Sequence, residues 1–163
     1  GENAVEGKCT IIGLNVEQAG FNWPGFGQDI AREAVFVHAG SVVKRCTITN
    51  SAHYGISSFN TQDTPDRPQL ADMEIAYNYV SNAGLAGIRI QQSRVGSVKG
   101  VVVIGNTVVS TTGSTHYGIY MAATEGATMA ADSRVENNTV IGIYKVAGIS
   151  VEAPALNVGN TVL

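Results

Sequence analysis

One six-residue segment recurs along this chain at a nearly constant spacing, and this repetition restricts the fold more than any other feature. Each copy begins and ends with an aliphatic residue, and the copies read IIGLNV (11–16), VKRCTI (43–48), IAYNYV (75–80), VIGNTV (103–108) and VENNTV (135–140). The steps between successive copies are 32, 32, 28 and 32 residues. Self-similarity at this period indicates stacked structural units, each of which buries an apolar face against its neighbours.

A Gly-Ile pair forms a second repeated element. It occurs at 55–56, 87–88, 118–119 and 148–149, and Ala34-Val35 is assigned as an earlier copy. The position two residues before each isoleucine alternates between large and small side chains, in the order Tyr54, Ala86, Tyr117 and Ala147. This alternation predicts a packing role for the twice-repeated His-Tyr-Gly-Ile, in which rings fill the space above alanines. His53 and His116 would lie two coils apart, about 10 Å, which is too far for them to share a metal ion.

The composition of each repeat identifies the stacked unit. Short runs rich in Val, Ile and Thr alternate with Gly, Asn and Ser, and no sustained helical period is present. Hydrophobic residues make up 44% and charged residues 14%, a balance that excludes a disordered chain. The sequence therefore predicts an all-β fold, namely a right-handed, single-stranded parallel β-helix of about five to six coils that forms one domain over residues 1–163.

A column of asparagines supports this register. Each asparagine stands two residues before the aliphatic residue that ends its segment, and the members are Asn78, Asn106, Asn138 and Asn160. Such a column can pass amide hydrogen bonds from coil to coil at a turn. Cys46 occupies the column in its own coil and Cys9 does not, so we expect two separate, reduced and buried thiols. A competing register, which aligns KCTI (8–11) with RCTI (45–48), would stack the two cysteines instead.

The segment VENNTVIGIYKVAGISV (135–151) resembles the parallel β-helix repeats of the pectate-lyase-like superfamily. The resemblance covers roughly residues 8–163. This superfamily includes polysaccharide lyases, mannuronan epimerases, some glycoside hydrolases and phage tailspikes. The resemblance implies a polysaccharide ligand and an extracellular or virion-associated location. The Asp-Pro-His motif of the epimerases is missing, which counts against that activity.

The repeat is interrupted at two places, where protruding loops are expected near 21–32 and 60–72. The first, FNWPGFGQDIAR, contains the only tryptophan, Trp23. The second contains Asp63 and Asp66, which would be the candidates for a calcium ion if one is bound, although such carboxylates are more often turn formers. We otherwise expect neither a cofactor nor a metal site. Residues 1–8 are too short for an obvious cap and the last repeat is truncated, so the chain is expected to be a segment of a longer protein or part of an unusual assembly that covers its ends.

One sheet face is the predicted binding surface. Side chains alternate between the two faces of a strand, so the residues that follow the inward isoleucines should point outward. These are Phe36, Ser57, Arg89, Tyr120 and Ser150, followed two positions later by His38, Phe59, Gln91, Ala122 and Glu152. Aromatic rings stack on sugars, and Arg or Gln hydrogen-bonds hydroxyls or carboxylates. The predicted glycan-binding residues are Trp23, Phe36, His38, Phe59, Arg89, Gln91 and Tyr120; a subunit interface or an ordinary solvated surface are the alternatives.

Two functional hypotheses follow. The first is a polysaccharide-processing β-helix, in which elimination would use His53 or Tyr120 as the base and Arg89 as the carboxylate clamp. Hydrolysis would instead need paired acids, for which Asp63 and Asp66 are the local candidates. The second hypothesis is a non-catalytic shaft, adhesin or binding module. The net charge of −3 provides no field for nucleic acid or an anionic membrane. The expected partner is a polysaccharide, and a homo-oligomer is a further option, which would be a trimer if the protein is tailspike-like.

Overall fold

The structure, a computed structural model, describes residues 5–17, 33–60 and 69–163, with side chains from Lys8 onward. All regular elements in these ranges are β-strands, and none of the described residues forms a helix that is long and apolar enough to cross a membrane. The strands are β1 (Val5–Gly7), β2 (Thr10–Ile12), β3 (Asn15–Glu17), β4 (Glu33–Val37), β5 (Val42–Lys44), β6 (Thr47–Thr49), β7 (Tyr54–Asn60), β8 (Leu70–Ala71), β9 (Glu74–Ala76), β10 (Tyr79–Ser81), β11 (Ala86–Ser93), β12 (Ser97–Lys99), β13 (Val102–Ile104), β14 (Thr107–Ser110), β15 (Tyr117–Thr124), β16 (Thr128–Met129), β17 (Arg134–Glu136), β18 (Thr139–Gly142), β19 (Ala147–Val151), β20 (Leu156–Val158) and β21 (Thr161–Val162).

The strands form four sheets in which every pairing is parallel. Sheet A has the order β1-β4-β7-β11-β15-β19, sheet B the order β2-β5-β9-β13-β17-β20, and sheet C the order β3-β6-β10-β14-β18-β21. Three of the layers add a fourth strand, and β8, β12 and β16 form the short sheet D. The chain visits sheets A, B and C in the same order in each layer, which makes the fold a parallel β-solenoid, as predicted. The described residues form about four turns of it; the handedness and the total coil number stay predictions.

The repeat columns of the sequence are the registers of the sheets. Ile11, Val43, Ile75, Val103 and Val135 pair in sequence across sheet B. Val16, Ile48, Val80, Val108 and Val140 do so across sheet C. In sheet A the column runs through Val35, Ile56, Ile88, Ile119 and Ile149. The central members of all three columns are fully buried and meet in one core, because stacking brings equivalent apolar positions together.

The turn between sheets B and C has the same backbone conformation in every layer. Its residues all have positive φ, between 52° and 71°, and they are Gly13, Arg45, Tyr77, Gly105, Asn137 and Gly159. Only glycine adopts this left-handed region without a steric penalty. The three larger residues tolerate it because the turn is fixed on both sides by ladder hydrogen bonds, such as Arg45 N to Ala76 O at 3.2 Å.

The asparagine column lies directly after this turn and forms the predicted ladder. The Oδ1 of Asn106 accepts hydrogen bonds from both the backbone N and the Nδ2 of Asn78, each at 2.9 Å. The same pair of bonds links Asn106 to Asn138 and Asn138 to Asn160. The ladder satisfies backbone groups that point along the solenoid axis and are sealed from water.

The cysteines follow the main register. Cys46 donates its backbone N–H to Asn78 Oδ1 at 2.9 Å and therefore continues the asparagine column, whereas Cys9 lies in the column of Ser41. Neither cysteine is part of a disulfide bond. The competing register that stacks the two cysteines is wrong. Cys46 is buried, as predicted, whereas Cys9 is only partly buried because it lies in the first described layer of the stack.

Candidate functional site

The outward face of sheet A has the register that the sequence predicts. Phe36, Ser57, Arg89, Tyr120 and Ser150 pair in sequence, and two residues further along the strands Phe59, Gln91 and Ala122 form a second column. His38 and Glu152 come immediately after β4 and β19. Most of these side chains are half-buried, but Ser57 and Ala122 are 0% and 5% exposed. Alternation alone predicts that these two side chains face solvent, but larger neighbours cover them. We call the whole surface the outward face.

Two further aromatic residues lie on this face because of the glycine that follows each of them. A Cβ on Gly55 would lie 2.4 Å from Val80 Cγ1, and a Cβ on Gly118 would lie 2.5 Å from Val140 Cγ1. Each glycine thus packs against the core column of sheet C, and the isoleucine after it also faces the core. Two consecutive inward positions shift the alternation by one residue. Tyr54 and Tyr117 consequently stand outward, in the predicted column with Ala86 and Ala147 but among the residues of the outward face.

Arg89 is the centre of this face. Its Cζ lies 4.6 Å from the ring centroid of Tyr54 and 4.3 Å from that of Phe59, both within the range of a cation–π contact. Its Nε and Nη2 both donate to Gln91 Oε1, at 3.0 and 2.6 Å. The guanidinium group is therefore held between two rings and one amide.

A polar chain continues from Gln91 along the same edge of sheet A. Gln91 Nε2 donates to Ser93 Oγ at 3.3 Å and to Thr124 Oγ1 at 3.4 Å, and the two hydroxyls are 2.8 Å apart. These bonds fix the amide so that its oxygen faces Arg89. Gln91 thus positions the guanidinium group in addition to being a candidate ligand contact.

Aromatic rings border Arg89 on both sides. The rings of Phe36 and Phe59 meet edge to face with centroids 5.2 Å apart, and Phe36 and His38 do the same at 5.2 Å. In the next layer beyond Arg89, the rings of Tyr117 and Tyr120 are 4.7 Å apart and tilted by 32°. An open groove of about 550 Å³ continues from Tyr120 to Glu152, whose Oε2 accepts a hydrogen bond from Ala123 N at 2.5 Å.

The protonation of the two central phenols follows from their surroundings. Burial raises the pKa of Tyr54 and outweighs the opposing effect of the Arg89 charge. Burial also raises the pKa of Tyr120, and the neighbouring Tyr117 adds to that increase. Both phenols are therefore protonated at neutral pH and act as hydrogen-bond donors as well as flat apolar surfaces.

The remaining predicted site residues lie elsewhere. His53 precedes β7, and its ring centroid lies 6.2 Å from that of Tyr54, at the margin of the face. Leu85 N donates to His53 O and His116 N donates to Leu85 O, so the two histidines are two layers apart, as predicted. Three predicted site residues lie outside the described residues, namely Trp23, Asp63 and Asp66. The first predicted loop, 21–32, also lies outside them. Within the second predicted loop, 60–72, Leu70–Ala71 form strand β8. The described ranges contain no group of three or more His, Cys, Asp or Glu side chains that could hold a metal ion.

Sequence reasoning missed three members of this region. The alternation of large and small residues predicts a packing role for Tyr54 and Tyr117, although the duplicated His-Tyr-Gly-Ile is the signal that marks them. Glu33, the first residue of β4, pairs in register with Tyr54, is 0% exposed, and its charge adds to the increase in the pKa of Tyr54. No repeat signal distinguishes Glu33, because its equivalents in the other layers are tyrosine and alanine.

Comparisons with known proteins were consistent with a family assignment but supplied no function. No curated protein and no solved structure matches the chain. One family matches over residues 19–162, which is most of the sequence. The chain belongs to the family described as "Protein of unknown function (DUF1565)".

Proposed function

We propose that the outward face of sheet A binds an acidic polysaccharide. The observation that carries this proposal is the placement of Arg89 between the rings of Tyr54 and Phe59, with the Tyr117–Tyr120 ring pair in the adjacent layer. Rings favour the flat apolar faces of sugars, and a guanidinium group favours a carboxylate. Successive layers repeat about every 4.8 Å, so the contacts follow one another along an elongated ligand.

Binding without cleavage is the form of this proposal that the site favours. Elimination would need a base near the sugar C5 proton, and a phenol whose pKa is raised, as in Tyr120, is a poor base. His53 remains the other candidate base, and the predicted acid pair, Asp63 and Asp66, belongs to the undescribed residues 61–68. The proposal includes an extracellular location, where acidic polysaccharides are found, and a likeness to pectate-lyase-like β-helices that extends to the ligand class.

Arg89→Ala tests the electrostatic part of the proposal. Affinities would be measured by calorimetry for polygalacturonate, alginate and hyaluronate, each compared with its carboxyl-reduced form. We expect Arg89→Ala to weaken binding of a carboxylated polymer by roughly 10- to 150-fold, the range for a charge-assisted hydrogen bond, and to leave the reduced form nearly unaffected. Arg134→Ala is the matched control, since Arg134 is an exposed arginine of sheet B.

Tyr120→Ala tests the stacking part. It should lower the affinity for carboxylated and carboxyl-reduced polymers to a similar degree, because stacking does not depend on the charge of the sugar. Tyr79→Ala is its control, because Tyr79 is an exposed tyrosine of sheet C. Absorbance at 232 nm and a reducing-end assay on the same mixtures would report elimination or hydrolysis. If no polymer binds, or if both variants fold and bind like the parent, the outward face is a subunit interface or plain surface and the proposal fails.

A further inference from the structure

Ser57 differs from every other hydroxyl-bearing residue of the outward face. It belongs to the column between Phe36 and Arg89, yet it is 0% exposed and its Oγ has no hydrogen-bond partner among the described residues. A buried hydroxyl without a partner is unfavourable, and alanine would fill the same space without that penalty. A ligand that reaches this hydroxyl would supply the missing partner.

Arg89 covers Ser57. On β7, Tyr54 and Phe59 lie on either side of Ser57, and Arg89 stands directly opposite Ser57 on the neighbouring strand β11. The Arg89 Cζ contacts both flanking rings, at 4.6 and 4.3 Å. A group that touches both rings at once must extend over the position between them. Rotation of the Arg89 side chain away from the rings would therefore expose Ser57 Oγ without any change in the backbone.

We propose that Ser57 and Arg89 form a carboxylate subsite, which is closed in this structure and opens when Arg89 moves off the Tyr54–Phe59 ring pair. The subsite rests on the proposed binding of an acidic polysaccharide and identifies where the sugar carboxylate is held. One carboxylate oxygen accepts a hydrogen bond from Ser57 Oγ and the other accepts from the guanidinium group, which matches the two acceptors of a carboxylate.

Gln91 lowers the energetic cost of opening this subsite. Its Oε1 accepts from Arg89 Nε and Nη2, so an amide oxygen occupies in the closed state one of the positions that a ligand oxygen takes in the open state. The guanidinium group thus exchanges one oxygen partner for another and is never left without an acceptor. The cation–π contacts are lost on opening. The charge-assisted bonds that a carboxylate makes to Ser57 Oγ and to the guanidinium group offset that loss, whereas the weaker bonds of a neutral sugar hydroxyl do not.

Ser57→Ala separates this subsite from a purely structural role, and Ser58→Ala is the matched control. Ser58 is the next residue, is also 0% exposed with an unpartnered Oγ, and lies in the core-facing column with Ile90. Both variants should melt at or above the parent temperature. Only Ser57→Ala should lower the affinity for the carboxylated polymers, by roughly tenfold or more, while the affinity for their carboxyl-reduced forms is retained.

A Ser57→Cys variant tests the cover without any polysaccharide. The introduced thiol would be treated with a small neutral reagent, methyl methanethiosulfonate, which Arg89 does not attract by charge, and modification at position 57 would be followed by peptide mass spectrometry. We expect slow modification when Arg89 is present and at least tenfold faster modification in Ser57→Cys combined with Arg89→Ala. Equal rates would overturn the proposed cover.

The outcomes distinguish the two proposals. If the parent binds carboxylated polymers and Arg89→Ala weakens them, but Ser57→Ala behaves like Ser58→Ala, the binding face stands and the subsite is wrong. If the parent binds none of the polymers, the proposed function itself is wrong and the subsite is rejected with it.

Discussion

Replacement of Asn106 by alanine should destabilise the solenoid more than most single substitutions. The Asn106 Oδ1 accepts from the backbone N and Nδ2 of Asn78, and its Nδ2 donates to Ile75 O at 2.9 Å and to Asn138 Oδ1 at 2.9 Å. Truncation therefore leaves two donors of Asn78 without their acceptor in a region that water does not reach. At about 1–3 kcal/mol for each orphaned buried group, the expected loss is about 2–6 kcal/mol, a large share of the stability of a typical domain.

The ladder supplies its own control for this estimate. Asn160 accepts the same two bonds from Asn138 and donates to Val135 O at 2.8 Å, but it is only half-buried. Once the half-buried Asn160 side chain is removed, water can reach the two Asn138 donors, so Asn160→Ala should cost about 1 kcal/mol or less. Both variants would be measured by urea denaturation, followed by circular dichroism near 218 nm, with unchanged slopes as the condition for comparison. Equal losses for Asn106→Ala and Asn160→Ala would refute the argument that burial, rather than the number of bonds, sets the energy.

Three other substitutions or titrations address different parts of the fold. Cys46→Asn should raise the unfolding free energy by about 1 kcal/mol in the same denaturation assay, because it extends the amide column beyond Asn78 by one layer. A lower unfolding free energy would show that the layer of Cys46 is packed too differently from the later layers to accept an asparagine. Gly118→Ala should lower the melting temperature by several degrees, since its Cβ would lie 2.5 Å from Val140 Cγ1, and a neutral result would contradict the close approach that turns Tyr117 outward. Burial raises the pKa of Tyr144 to about 12, so the phenol ionises at a lower pH in the unfolded state than in the folded state. The free energy of unfolding should therefore fall as the pH rises from about 10 to 12. Denaturation of the parent and of Tyr144→Phe at several pH values would test this, because the variant should lack that part of the decrease.

The sequence predicted the stacking of the layers because a solenoid places equal positions of the repeat in contact. Columns such as Val43–Ile75–Val103 and Asn78–Asn106–Asn138 are therefore visible in one sequence without any alignment. The same logic assigned Arg89 and Tyr120 correctly to a single face.

Two features of the candidate site could not be predicted from the repeat pattern. The outward turn of Tyr54 depends on the close approach of Gly55 to Val80, a contact between two sheets that no column spacing encodes. The proposed covering of Ser57 depends on the side-chain conformation of Arg89, because a pattern of residues gives the face of a strand but not the direction of a long side chain. The contribution of Trp23 stays a prediction.

The left-handed turn between sheets B and C has a consequence for how this family can vary in length. Successive copies of that turn are 32, 32, 28, 32 and 22 residues apart, yet each has the same sign of φ and leads into the same register of sheet C. Insertions and deletions are thus absorbed on the other side of the layer, including the addition or omission of a sheet D strand. A whole layer can be duplicated or lost by unequal recombination without altering the junctions of its neighbours, and each such event would lengthen or shorten the outward face by about 4.8 Å. If the proposed function holds, the number of sugar residues that the face can accommodate is a property that evolution can change in unit steps.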